Sequence, residues 1–136
     1  MILSPCNSRI LAAILLATAM LVSFVARGFA ADHATILMYH RFGEENYPST
    51  NVTLEQFDEH LEVLASGPYT VLPLEDIVLN LQSGTPLPDR TVAITIDDAY
   101  LSVYEEAFPR LKALGFPATL FVATRPVDRG LRAYMS

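Results

Sequence analysis

Thr91-Val92-Ala93-Ile94-Thr95-Ile96-Asp97-Asp98 is the stretch on which the fold turns. Its first six residues are β-branched or small, almost all apolar and uncharged, and two adjacent carboxylates stop the run. A run this short, without strict alternation, is the pattern of a strand covered on both faces, as in a parallel sheet. Ligands of parallel α/β folds bind beyond the carboxyl ends of such strands, where Asp97 and Asp98 stand. Neighbouring side chains of a strand face opposite ways, so the two reach one site only if the chain turns there.

Working outward, Thr35-Ile36-Leu37-Met38-Tyr39 reads as a buried strand ending at His40, followed by a loop with Gly43, Asn46 and Pro48. Thr53-Leu54-Glu55-Gln56 has the form of a capping box, and Leu54, Phe57, Leu61 and Leu64 give a helical stripe that Gly67 and Pro68 end. Thr70 to Leu72 is a candidate strand, and a second helix is expected over Leu74 to Leu81, closed by Gly84. On the other side of the acidic pair, Val103, Ala107, Leu111 and Leu114 return to helical spacing, with Gly115 as C-cap. Pro109 should kink that helix or mark the first turn of its second half. Ala118 to Ala123 is another expected buried strand, and Pro126 to Ser136 reads as a loop. Strands alternating with helices predict an α/β layer with a parallel sheet. Four strands would leave exposed edges, so the chain reads as the first half of something larger.

The N-terminus reads as a secretory signal peptide over 1–30. Arg9 gives the positive region, Ile10 to Val25 is apolar and uncharged, and Gly28 and Ala30 precede the cleavage point. An uncleaved membrane anchor is the alternative. Export to the periplasm or the medium is the expectation, with membrane contact only through that segment. The domain then begins at Ala31. With Arg9 and Arg27 removed, 7 basic residues face 15 acidic ones, a net charge of −8. That balance, with no Lys/Arg cluster, argues against nucleic-acid binding. Cys6 is the only cysteine, so the part after the leader forms no intrachain disulfide and no thiolate metal site.

Two readings of Asp97 and Asp98 stand side by side. They cap the following helix, where acidic residues suit the helix dipole, or they serve a divalent cation, one coordinating it and the other taking a proton from water. A Mg²⁺-dependent phosphoryl-transfer site would use the same pair. His40, at a strand end, is either a hydrogen-bonded structural residue or part of the rim of the site, and Tyr100 is a second rim candidate. Tyr100 and Tyr104 offer rings that stack on sugars, although Tyr104, at helical spacing, reads as core. His60 reads as a surface or packing residue, and His33 lies near the expected mature N-terminus. Glu55, Asp58, Glu59 and Glu62 read as a solvated helix face.

Read together, Ile94-Thr95-Ile96-Asp97-Asp98, Tyr100, Tyr104 and Leu111-Lys112-Ala113-Leu114-Gly115-Phe116-Pro117-Ala118-Thr119-Leu120-Phe121-Val122 resemble the polysaccharide deacetylase family, the NodB-homology domain of carbohydrate esterase family four. Leu37-Met38-Tyr39-His40 and the helix carrying Phe57, Leu61 and Leu64 resemble the N-terminal part of its secreted members. The resemblance implies the N-terminal part of a distorted (β/α) barrel and a metal-dependent hydrolase that removes acetyl groups from N-acetylated sugars in chitooligosaccharide, exopolysaccharide or peptidoglycan. It implies Asp97 as general base and Asp98 as ligand of a divalent metal, usually zinc. Ile96 replaces the motif phenylalanine, and Ala99 replaces a glycine that normally permits a tight turn. The family's H-[ST]-x-x-H-P motif, which supplies two more ligands, has no match, since His33, His40 and His60 lack that spacing. A catalytic zinc needs about three protein ligands, so the chain as written is expected to have little deacetylase activity. A non-catalytic glycan-binding remnant is the alternative, and a separate chain supplying the missing half-domain is a conceivable partner.

Overall fold

In a computed structural model, residues 31–135 are described, and the leader signals at Arg9, Ile10 to Val25, Gly28 and Ala30 lie outside them. The acid-terminated stretch is the central strand. We number six strands, β1 (Thr35–Tyr39), β2 (Arg41–Phe42), β3 (Asn51–Val52), β4 (Thr70–Val71), β5 (Thr91–Asp97) and β6 (Thr119–Phe121). The helices are α1 (Leu54–Ser66), α2 (Leu74–Ser83), α3 (Phe108–Leu114) and α4 (Thr124–Asp128), with a π-helical segment at Val103–Ala107 ahead of α3. β1 runs parallel to β5 from the pair Thr35–Val92 to the pair Tyr39–Ile96. β4 pairs with the first residues of β5 and β6 with the last, both parallel, and they share the side opposite β1. The architecture is α/β with parallel strands alternating with helices.

Alternation along β5 sorts the core. Val92, Ile94 and Ile96 pack with Phe57, Leu61 and Leu64 of α1 and with Val103, Ala107 and Leu111 on the other helical arm. Ala93 faces the opposite way, onto Ile77 of α2 and Leu87. The next residues on that face, Thr95 and Asp97, line an open groove instead. Thr53 caps α1 as its sequence predicts: its side chain accepts from the Gln56 N–H, and the Gln56 side chain accepts from the Thr53 N–H. Gly84 and Gly115 close α2 and α3 in the left-handed conformation.

Several expectations are corrected. β1 is not buried, since Ile36 and Met38 are 53% and 62% exposed. On this face Ile77 of α2 covers Ala93, whereas Ile36 and Met38 line an open groove. The strand after Pro117 is shorter than Ala118 to Ala123, and Leu120, Phe121 and Val122 are exposed. The loop after His40 holds two short parallel strands, β2 and β3, with the Gly43 N–H donating to the Val52 carbonyl. Pro126 to Ser136 is not featureless: α4 reaches into it, and Tyr100 and Tyr134 form an antiparallel bridge. Tyr104 is not core but 63% exposed, stacked on Phe108, because the π turn adds a residue and rotates it off the buried stripe. Of the two readings of Pro109, the second holds: it lies in the first turn of α3, the second half of this arm, and does not kink one continuous helix. It has no N–H for the fourth carbonyl back, and the Phe108 N–H reaches the Val103 carbonyl instead. No helix among the described residues is long and apolar enough to cross a membrane.

Candidate functional site

Asp97 is the last residue of β5, and Asp98 leaves the strand with its N–H donating to the Phe121 carbonyl at 2.8 Å. Asp98 and Ala99 both have positive φ, 73° and 59°. These consecutive left-handed residues make the turn that brings both carboxylates to the same groove, which strand geometry alone forbids. Ala99 therefore holds the backbone conformation that a glycine would adopt freely, at some strain. It is almost fully buried, and its carbonyl accepts from the Met135 N–H while the Leu101 N–H donates to the Ala133 carbonyl. Those bonds, made by the C-terminal segment, hold the turn in place.

The groove has a volume of about 530 Å³ and is lined by Ile36, Met38, Leu74, Thr95 and Phe121 together with Asp97 and Asp98. His40 Nε2 stands 3.8 Å from Asp97 Oδ2, beyond hydrogen-bond length. Tyr100 lies under the turn. Its phenol is pushed up to about 12 by the Tyr134 hydroxyl and by burial; the Asp98 carboxylate acts in the same direction and Arg41 in the opposite one. Of the residues proposed from sequence, Asp97, Asp98, His40 and Tyr100 are thus brought together. His60 is placed elsewhere, on α1, bonded through Nδ1 to Tyr39 Oη at 3.0 Å. His33 pairs with Asp32 at the exposed N-terminal end of the described residues.

Beneath the site lies a cluster that the sequence did not announce. The Arg41 guanidinium is buried, sandwiched between the Tyr47 ring at 3.9 Å and the Tyr100 ring at 3.5 Å, and paired with Glu44. Burial works against its charge, but the hydrogen bond and charge of Glu44 prevail and raise its pKa above the usual guanidinium value. Ser102 Oγ donates to Glu44 at 2.6 Å and accepts the Phe42 N–H at 3.2 Å. The Glu44 N–H donates in turn to Asn51 Oδ1. The cluster ties the β2–β3 corner to the residues just after the acidic turn. Its members lie up to 60 positions apart in sequence, so no local pattern could have found them.

The donor chemistry fits a metal only in part. Among the described residues, no three of His, Cys, Asp and Glu gather closely enough to hold a cation. Asp98, with Asp97 and His40 nearby, is not by itself a zinc centre.

Residues 84–134 match the family model for polysaccharide deacetylases. The chain is 33% identical over 92 residues to Bacillus subtilis YxkH, whose name assigns it to the polysaccharide deacetylases, covering 68% of this chain and 32% of that one. It is 28% identical over 110 residues to the poly-β-1,6-N-acetyl-D-glucosamine N-deacetylase of Staphylococcus aureus strain MSSA476, covering 71% of this chain and 38% of the relative. Among solved structures it superimposes on a Streptococcus pyogenes deacetylase, PplD, in complex with acetate. The TM-score is 0.66 at 27% identity, covering 76% of this chain and 48% of that one. The chain thus spans about a third of the length of the curated relatives it matches.

Proposed function

Because this chain belongs to the polysaccharide deacetylase family, we propose that its Asp97–Asp98 turn is part of the hydrolytic site of a carbohydrate N-deacetylase. The observation that carries this reading is the pair of left-handed residues, Asp98 and Ala99, that puts two aspartates along one groove at the end of the central strand. In this reading Asp97 is the general base, taking a proton from the water that attacks the acetyl carbonyl. His40, with Nε2 3.8 Å from Asp97 Oδ2, stands beside that carboxylate. Asp98 is one ligand of a divalent cation, zinc by the chemistry of such sites, with two histidines from outside the described residues completing it. Bound there, the cation would polarise the carbonyl and lower the pKa of its water.

The substrate is an N-acetylated glycan, of which β-1,6-linked poly-N-acetylglucosamine has support from the staphylococcal relative. The chain acts after export, consistent with the leader pattern over 1–30. Among the described residues the ligand set for such a cation is incomplete. A phosphoryl-transfer reading has no observation in its favour once the family is known.

The test is acetate release from β-1,6-linked N-acetylglucosamine oligomers by this chain fused, after residue 135, to the part of the streptococcal deacetylase that follows its matched segment. Turnover should require a divalent metal. Asp97→Asn should lower kcat by ~10²-fold or more, the scale of general-base contributions. A fusion that turns over with zinc yet tolerates both Asp97→Asn and Asp98→Asn would overturn the assignment.

A further inference from the structure

β1 lies at an edge of the sheet. It pairs with β5 on one side, and beyond that ladder Thr35–Tyr39 make no backbone–backbone hydrogen bond among the described residues. Every second residue therefore turns its N–H and C=O outward, a template for one more strand. Exposed edges are ordinarily blunted by a lysine, a proline, a bulge or an inward charge. Thr-Ile-Leu-Met-Tyr carries no charge and no proline, and its register with β5 runs without a bulge.

Both faces of this edge are open and apolar. Ile36 and Met38 line the groove that reaches Asp97. On the opposite face Thr35 and Leu37 line another groove, of about 360 Å³, with His60, Val63 and Leu64 of α1 and with Tyr69. Ile36, Met38, Val63 and Tyr69 are exposed. Side chains alternate between the faces of a strand, so an added strand covers both grooves only if it is apolar on both sides. A helix or a half-polar strand would leave one of them open.

The chain itself holds a strand of this kind with a free edge. β5 is apolar on both faces but already paired on both sides. β6 has three residues, and β2, β3 and β4 have two each. That leaves β1. We propose that β1 pairs edge to edge with β1 of a second copy of this chain, antiparallel about a two-fold axis at Leu37, which sets Ile36 against the partner's Met38. The pairing is self-complementary, as a two-fold interface requires, and no charge opposes it on either strand. Charge also selects the edge over the open face. The part of the chain after the leader carries a net charge of −8, and copies stacked face to face would bury Asp97 and Asp98 of both without a counter-ion.

The experiment is sedimentation equilibrium of the full chain, with amide hydrogen exchange of Thr35–Tyr39 measured at low and high concentration. Five paired residues bury less than the ~800 Å² per partner of a standard interface, so the expected result is a monomer–dimer equilibrium with a Kd of about 10–100 µM. Amides on the outer edge of β1 should exchange more slowly as the dimer fills. Ile36→Lys, which puts an ammonium into the paired strand, and Val63→Lys, which puts one beside it, should each raise the Kd by about tenfold or more. Both side chains are exposed, so neither change opens the core, and circular dichroism checks that the fold is kept. A chain that stays monomeric at ~1 mM, far above that Kd, would overturn the proposal. So would a dimer indifferent to both substitutions, association that does not stop at two copies, or edge amides that exchange alike at every concentration. A monomer that instead binds the part of the streptococcal deacetylase following its matched segment would give the edge to a different chain, and the second copy would be discarded. The pairing makes no use of catalysis, so it stands or falls apart from the deacetylase reading.

Discussion

Removing the Glu44 carboxylate is the sharpest test of how the acidic turn is supported. Glu44→Ala leaves the Arg41 guanidinium, whose side chain is 8% exposed, without its counter-ion, and leaves the Ser102 hydroxyl without its acceptor. Breaking a buried ion pair from one side costs ~3–5 kcal/mol. Here the carboxylate is 27% exposed, so water relieves part of the loss. The Tyr47 and Tyr100 faces keep a residual attraction of ~0.5–2 kcal/mol. The expected destabilisation is therefore about 2–3 kcal/mol, a large share of the ~5–15 kcal/mol that holds a domain folded. In urea unfolding followed by far-ultraviolet circular dichroism, a slope of ~2 kcal/mol/M turns this into a midpoint lower by roughly 1 M. Adding Arg41→Met removes the stranded charge, and the double variant should regain at least ~1 kcal/mol over Glu44→Ala. A midpoint shift worth under ~0.5 kcal/mol would mean that the pair counts for no more than an ordinary surface one, and a merely additive double variant would mean that Arg41 is not stranded by the loss of Glu44.

Other outcomes follow from single contacts. Ala99→Val puts a β-branched side chain at φ 59° in a buried position, and should cost more than ~2 kcal/mol in thermal or urea unfolding. Ala99→Gly trades relieved strain against a lost buried methyl and a freer unfolded chain, and should change stability by less than ~1 kcal/mol. Thr53→Ala removes one half of a capping box and should cost ~1 kcal/mol by the same measurement. The full chain alone, supplied with zinc, should release no acetate from N-acetylglucosamine oligomers above a no-protein blank. Clear release would show that the chain already holds a complete site.

What the sequence made legible was whatever depends on neighbours. The apolar run Thr91 to Ile96 announced the central strand, Thr53 and Gln56 announced the start of α1, and Gly84 and Gly115 announced two helix ends, because each signal lies within a few residues of its effect. Asp97 and Asp98 were conspicuous because a buried strand rarely ends in two charges. Apolarity did not reveal which face finds a partner, so Ile36, Met38 and Phe121 read as buried while the structure leaves them along an open groove. The π turn before Pro109 was hidden because Val103, Ala107 and Leu111 keep a spacing that an α-helix also satisfies. The Arg41–Glu44–Ser102 cluster was hidden because its contacts join distant segments. Ala99 looked like a departure from a glycine turn, yet its left-handed backbone shows that the turn survives the substitution.

The division of labour between the two aspartates is tested most directly by anomalous diffraction from zinc-soaked crystals of the completed fusion protein. The expected result is a zinc peak bonded to an Asp98 carboxylate oxygen, with Asp97 outside the coordination shell and facing the water that would attack. A zinc held by Asp97 instead, or a peak away from the end of β5, would contradict it.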